Sequence, residues 1–251
     1  MKNLTGKNIK GVFFDLYGTL LIFENIEQSW KDWIVKFHEM IKAKKEISFD
    51  NFSMHCDSFM KREVVKDIKC GLTTYETRLR DLCRGINIEL EIEELQEIAN
   101  ETPRAWQKYI SPAKDVYSIL AELKKKKTLA LITNFDHAPH IKYTLNKFDL
   151  EKYFDAILIS DEAGTKKPEP EIFHSALNKT GLLSEEVIFV GDGEDDVNGA
   201  SAAEIQPVLI MHDTFTTMHD YKHDNDEIAE FNHNDKAIVI HSLTELLKFT
   251  E

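Results

Sequence analysis

Asp15 closes a short apolar run, Val12-Phe13-Phe14, and is followed at once by Leu16-Tyr17-Gly18-Thr19-Leu20. A carboxylate placed directly after residues of buried character is costly unless it is paired or used. Gly18 and Thr19 suit a tight turn with exposed amides and a free hydroxyl, which can hold an oxyanion against that carboxylate. Asp15 is therefore a candidate covalent nucleophile. A carboxylate is a weak one, but it forms an ester or acyl phosphate that water can then cleave. Three further signals follow in order: Thr133-Asn134, Lys167-Pro168, and Gly191-Asp192-Gly193-Glu194-Asp195-Asp196. Clustered carboxylates without a counter-charge repel one another, so the last of these implies a hard cation. Magnesium suits such oxygen ligands and keeps several waters.

These residues need rigid elements to bring them together. Short β-rich apolar runs cover Gly11–Phe14, Thr128–Thr133, Ala156–Ser160, Val187–Gly191 and Pro207–Met211, and helical stretches separate most of them. Alternating strands and helices argue for a parallel sheet with helices on both faces. Continuous apolar runs fit strands buried on both sides. The expected fold is a doubly wound α/β core with a Rossmann-like parallel sheet. Each motif then falls at a strand–loop junction, at the carboxyl edge where such sheets bind ligands.

Residues 22–109 differ in character. Ile26, Trp30, Trp33, Ile34, Phe37 and Ile41 fall at helical spacing, as do Ile92, Leu95, Ile98 and Ala99. All three tryptophans, all three cysteines and all five arginines lie in this stretch. It reads as an α-helical cap inserted into a core made of residues 1–21 and 110–251, with Ser111-Pro112 marking the return. Its arginines could clamp a carboxylate or phosphate. Lys236–Ile240 reads as an edge strand and Ser242–Phe249 as a closing helix. The polar stretch from His212 to Lys236 reads as a loop. His219 and His223, four apart within it, have no thiolate or second pair to complete a zinc site.

The chain has 251 residues, enough to bury a large core without staples. Its net charge is −13, from 31 basic and 44 acidic residues. That opposes nucleic acid or an anionic membrane as partner, because phosphate neutralisation needs a basic surface. Local fields still permit a small anionic metabolite as substrate. No apolar run approaches the roughly 18–20 residues that span a bilayer. Cys56, Cys70 and Cys83 lack metal-like spacing, and their odd number suits a reducing compartment. The expectation is a cytoplasmic protein.

In this order and spacing, the four motifs resemble the haloacid dehalogenase superfamily of hydrolases over nearly the whole chain. The resemblance implies that Asp15 is the nucleophile. It implies that Thr133 and the Asn134 amide hold transferring oxygens. It makes Lys167, rather than the adjacent Lys166, the ammonium between nucleophile and substrate. Asp15, the main-chain carbonyl of Tyr17, Asp192 and Asp196 would surround Mg2+, and Asp195 would face solvent.

Tyr17 departs from the phosphatases of that superfamily, which place an aspartic acid there to protonate the leaving alcohol, and it would face the substrate. An ordinary tyrosine titrates near 10, poorly tuned for that task at neutral pH. The dehalogenase branch has tyrosine at this position. It lacks the magnesium loop, however, and has tyrosine where Phe173 stands. Extra carboxylates would repel a halocarboxylate, which needs no cation. The favoured expectation is a magnesium-dependent phosphatase of a small phosphorylated metabolite, acting through an aspartyl-phosphate. A metal-free 2-haloacid dehalogenase using Asp15 is the alternative, and a non-catalytic ligand-binding or regulatory module is a second one.

Overall fold

A computed structural model describes residues 8–57, 59, 60, 62–212 and 237–250. The chain divides into two compact units. One holds residues 1–24, 110–135 and 144–251; the other holds residues 25–109 and 136–143.

The first unit is built on β1 (Gly11–Phe14). It continues with β2 (Leu21–Phe23) and, after the helical residues, with β3 (Ile110–Pro112), α5 (Val116–Lys124) and β4 (Thr128–Thr133). The helical unit contributes α1 (Ile26–Ile41), α2 (Phe49–Cys56), α3 (Thr74–Gly85) and α4 (Ile92–Trp106). Next along the chain come α6 (Ala138–Lys147), β5 (Ala156–Ile159), α7 (Ser160–Ala163) and α8 (Pro170–Thr180). The last elements are β6 (Val187–Gly191), α9 (Glu194–Ala202), β7 (Gln206–Ile210), β8 (Ile238–Ile240) and α10 (Leu247–Thr250).

Six strands form one parallel sheet in the order β5-β4-β1-β6-β7-β8. The Rossmann-like α/β fold expected from the strand–helix alternation is the fold observed. In β1 the side chains alternate between faces, yet Val12, Phe13 and Phe14 are all fully buried. Both faces of the sheet are therefore covered. Phe13, Ala130, Ile132, Val187 and Phe189 pack on one face with Ile172, Phe173 and Ala176 of α8 and Ala200 of α9.

The boundaries differ from expectation in instructive ways. Ser160 is not the end of a strand but the start of α7. The last parallel strands run over Gln206–Ile210 and Ile238–Ile240. The C-terminal turn is 3-10 at Leu243–Leu246 before it becomes α10. Leu21–Phe23 was not expected as a strand. It is too short to show a period of its own, and it is held by antiparallel pairing with Ile110–Pro112, a partner nearly ninety residues away. His219, His223 and most of the polar stretch lie outside the described residues. Among the described residues, no helix is long and apolar enough to cross a membrane.

The helical unit has its own core. Trp33, Ile34, Phe37 and Ile41 line the buried face of α1, and Leu95, Ile98 and Ala99 that of α4. The helical spacing of these residues thus produced the expected helices, and α1 and α4 pack on each other. Asn25 caps α1 through its side chain, and Thr73 with Glu76 forms a capping box on α3. Residues 136–143 join this unit although the sequence places them just after β4. Phe37 is fully buried and meets Phe52 edge-on at 5.1 Å and Trp33 at 5.4 Å. Phe37→Ala should lower unfolding stability by about 3–5 kcal/mol in urea denaturation, because it opens a cavity between aromatic rings.

Candidate functional site

The site begins where β1 ends. Asp15 follows β1, and its amide donates to the Val190 carbonyl of β6 at 2.9 Å. Thr133 closes β4, the neighbour on the other side, and is buried. Asp192 follows β6, and Asp196 lies in the first turn of α9. The neighbouring parallel strands β4, β1 and β6 therefore deliver three motifs to one edge of the sheet. The fourth, Lys167, comes from the segment before α8.

Lys167 joins them electrostatically. Its Nζ donates to Asp15 Oδ1 at 2.5 Å and to Asp196 Oδ1 at 2.6 Å. The three side chains are each less than a tenth exposed. Buried charges are tolerated only when they are paired and hydrogen-bonded. Burial alone would favour the neutral amine in Lys167, but Asp15 and Asp196 reverse this and hold it protonated. Burial raises the Asp15 carboxyl; Lys167 pulls it down and Asp196 pushes it up, leaving it at about 6. Burial, together with Asp196 and Asp15, raises Asp192 well above the ordinary carboxylate range.

One lysine thus faces three carboxylates. Asp15, Asp192 and Asp196 each offer an oxygen, and these oxygens lie within 4.8 Å of one another. An all-oxygen donor set with surplus negative charge fits a hard divalent cation. Asp196 is fixed for this arrangement, since its Oδ2 accepts from the Gly193 amide at 3.0 Å.

Two glycines make the close approach possible. Gly18 has φ +87°, and a Cβ there would stand 2.1 Å from Asp192 Oδ2. At Gly191 a Cβ would stand 2.3 Å from Asp196 Cγ. No side chain fits at either position without displacing a carboxylate.

The remaining residues divide by use. The Asn134 carboxamide engages Lys167 at both ends. Nδ2 donates to the Lys167 carbonyl, and Oδ1 accepts from the Lys167 amide, each at 2.9 Å. The Asn134 side chain is thereby committed to the Lys167 main chain. The Lys167-Pro168 peptide is cis. Lys166, Glu194 and Asp195 are exposed, as expected for Lys166 and Asp195. Tyr17 is buried, its ring in tilted contact with Phe23 at 5.9 Å and Phe135 at 5.7 Å. Its hydroxyl lies 3.4 Å from Thr144 Oγ1, and burial raises its pKa.

Sequence reasoning missed Thr144 and Ser160. Ser160 Oγ accepts from the Phe135 amide at 2.9 Å and steadies the turn after β4. Neither residue carries a sequence signal, because each acts on a partner distant in the chain. The five arginines are all engaged within the helical unit. Arg78 and Arg80 pair with Asp136 and Asp67, and Arg84 and Arg104 with Glu89 and Glu101. Arg62 donates to the carbonyls of His55 and Asp57.

The family model for haloacid dehalogenase-like hydrolases matches residues 12–210, a span holding all four motifs. The chain belongs to that family, and it is a hydrolase. It is 27% identical over 212 residues to human N-acylneuraminate-9-phosphatase, covering 80% of this chain and 82% of that protein. Among solved structures, a 2-haloacid dehalogenase from Pseudomonas syringae superposes with a TM-score of 0.63 at 22% identity, over 96% of this chain and 97% of that one. A hydrolase of the superfamily from Bacillus subtilis, solved bound to magnesium, gives a TM-score of 0.59 at 16% identity, over 98% of this chain and all of its own. At these identities both structures speak to the fold.

Gly18→Ala tests the crowding around Asp192. It should cost about 1–3 kcal/mol of stability from the backbone conformation alone. Thermal denaturation of the folded variant, compared with Gly85→Ala, where a Cβ meets nothing within 4 Å, checks this.

Proposed function

We propose that this hydrolase is a magnesium-dependent phosphatase of a small phosphorylated metabolite, working through an aspartyl-phosphate on Asp15. The observation that carries the reading is the set of three carboxylates, Asp15, Asp192 and Asp196, around the single ammonium of Lys167. A halocarboxylate entering this site would meet surplus negative charge. A phosphate ester accompanied by a divalent cation would not. The phosphatase relative, aligned over most of both chains, supports the same choice, and the magnesium-bound structure from Bacillus subtilis supports the cation.

In this reading Asp15, Asp192, Asp196 and the Tyr17 carbonyl would hold the cation, which would supply positive charge to offset the phosphate's. The Asp15 carboxylate attacks phosphorus and the leaving oxygen departs. Lys167 keeps its proton and neutralises charge between the carboxylate and the phosphoryl oxygens. Thr133 and the main chain of Asn134 hold those oxygens as they move, a stabilisation that often dominates catalysis. Water then cleaves the acyl phosphate and restores Asp15. The helical unit serves as the cap that selects the substrate.

Tyr17 limits the range of leaving groups. Its hydroxyl is buried against Thr144, so the ring fills the place of a carboxylic acid without replacing its proton. Substrates that leave as stable anions, such as acyl phosphates and phosphoanhydrides, suit such a site.

Two experiments test the proposal. Turnover should be measured on acetyl phosphate, an alkyl phosphate and a 2-haloacid, with and without chelator. Acetyl phosphate should be hydrolysed, chelator should abolish the activity, and magnesium should restore it; Asp192→Asn should weaken magnesium binding by calorimetry more than Asp195→Asn does. Haloacid turnover in excess chelator would instead establish the dehalogenase. The second experiment is Tyr17→Asp. Acid assistance is worth about 10²–10⁴-fold, so alkyl-phosphate turnover should rise toward that range while acetyl phosphate changes little. A folded variant with no gain on alkyl phosphates would refute the assignment of the missing acid.

A further inference from the structure

Polar contacts within the helical unit and others within the sheet unit converge on one short stretch of backbone, Asn134-Phe135-Asp136. Arg78 on α3 is only 8% exposed. One Nη1 donates to the carbonyls of Phe59 and Arg62, and Nη2 donates to Asp136 Oδ2 at 2.7 Å. The Tyr75 amide, also on α3, donates to the Asp136 carbonyl at 2.8 Å. His137, the next residue, is buried, with Nδ1 3.0 Å from Thr73 Oγ1 and Nε2 3.4 Å from Asn100 Oδ1. Both residues that follow Phe135 are therefore held by the helical unit.

Only Phe135 separates Asp136 from Asn134, and Asn134 grips the main chain of Lys167 with both ends of its carboxamide. A carboxamide bonded at two points transmits displacement, since neither bond can slide without breaking the other. Lys167 in turn must keep its Nζ within hydrogen-bond reach of two carboxylates. Ser160 steadies the turn at Phe135, so the turn is fixed at Phe135 by Ser160 and at Asp136 by Arg78.

We propose that Arg78 and Asp136 are positioning residues for Lys167, acting through the turn at Asn134. Among the described residues the buried guanidinium has one carboxylate partner, Asp136, and removing that partner leaves an uncompensated buried charge. The turn then loses its hold on the helical unit, and Asn134 relaxes with it. The effect on catalysis rests on the phosphatase reading above; the effect on where Lys167 sits does not.

The test separates the two. The variants are Asp136→Ala, Arg78→Ala and Asn134→Ala, alone and in pairs, with Asp136→Asn and Arg78→Lys in reserve should an alanine variant fail to fold. The first readout is hydrogen exchange of the Lys167 amide, followed by NMR, because that amide donates to Asn134. Exchange should be about tenfold faster in Asp136→Ala, the loss of roughly one hydrogen bond. In the Asn134→Ala background, Asp136→Ala should add nothing. The second readout is acetyl phosphate turnover with magnesium. The value of kcat should fall about 10–100-fold, as small misplacements of a reacting group do, with KM nearly unchanged. Again no further loss should appear when Asn134 is already alanine.

Unchanged Lys167 exchange in a variant that merely melts earlier would reduce the pair to local support and overturn the proposal. A rise in KM alone would make Arg78 a substrate contact and overturn it too. Wild-type protein inactive on acetyl phosphate would sink the phosphatase reading, while the exchange measurement would still decide the placement.

Discussion

The buried ammonium of Lys167, bonded to Asp15 and Asp196, is the interaction on which the site depends. Two carboxylates this close cannot both remain charged in a buried setting without a cation between them. Lys167 supplies it, and the rest of the local structure exists to deliver it. The Asn134 carboxamide holds its main chain, the Gly193 amide steadies Asp196, and the β1–β6 pairing sets Asp15 beside the Asp192 loop. The third carboxylate, Asp192, exceeds what one lysine can neutralise. The site is therefore built with a standing charge deficit, which is what a divalent cation and a phosphoryl group together would answer.

Much of this was legible in the chain. The runs at Gly11–Phe14, Thr128–Thr133 and Val187–Gly191 gave strands with those same bounds, because each has an apolar interior and is followed by polar residues. A strand buried on both faces leaves a strong compositional trace. The spacing of Trp33, Phe37 and Ile41, and of Leu95 and Ile98, likewise gave α1 and α4. Asp15 and Asp192 stood out because charged residues at the ends of apolar strands demand an explanation; Lys167 and Asp196 stood out through the resemblance to the haloacid dehalogenase superfamily.

The rest was hidden because it depends on distant pairs. Leu21–Phe23 becomes a strand only because Ile110–Pro112 pairs with it. Asn134 reads as a strand-end turn residue until Lys167, far along the chain, occupies both ends of its carboxamide. Ser160 reads as the last residue of an apolar run, yet its hydroxyl serves Phe135. Residues 136–143 are a bend followed by the start of α6, with nothing local to say that Arg78, Tyr75 and Thr73 would claim Asp136 and His137. Local patterns reveal elements; they do not reveal which element a side chain will serve.

The β2–β3 pair has a consequence for how this chain can change over time. It brings the two ends of the long insertion side by side, so the entropy of closing that loop is met by the strand pair rather than by the inserted helices. An arrangement of that kind ordinarily makes an insertion exchangeable as a cassette. Here the cassette has a second, detached piece. A graft replacing residues 25–109 alone would leave Asp136 and His137 facing partners of the wrong kind. Inheritance of the helical unit is thus tied to eight residues of the core's own sequence, and the two stretches must diverge together.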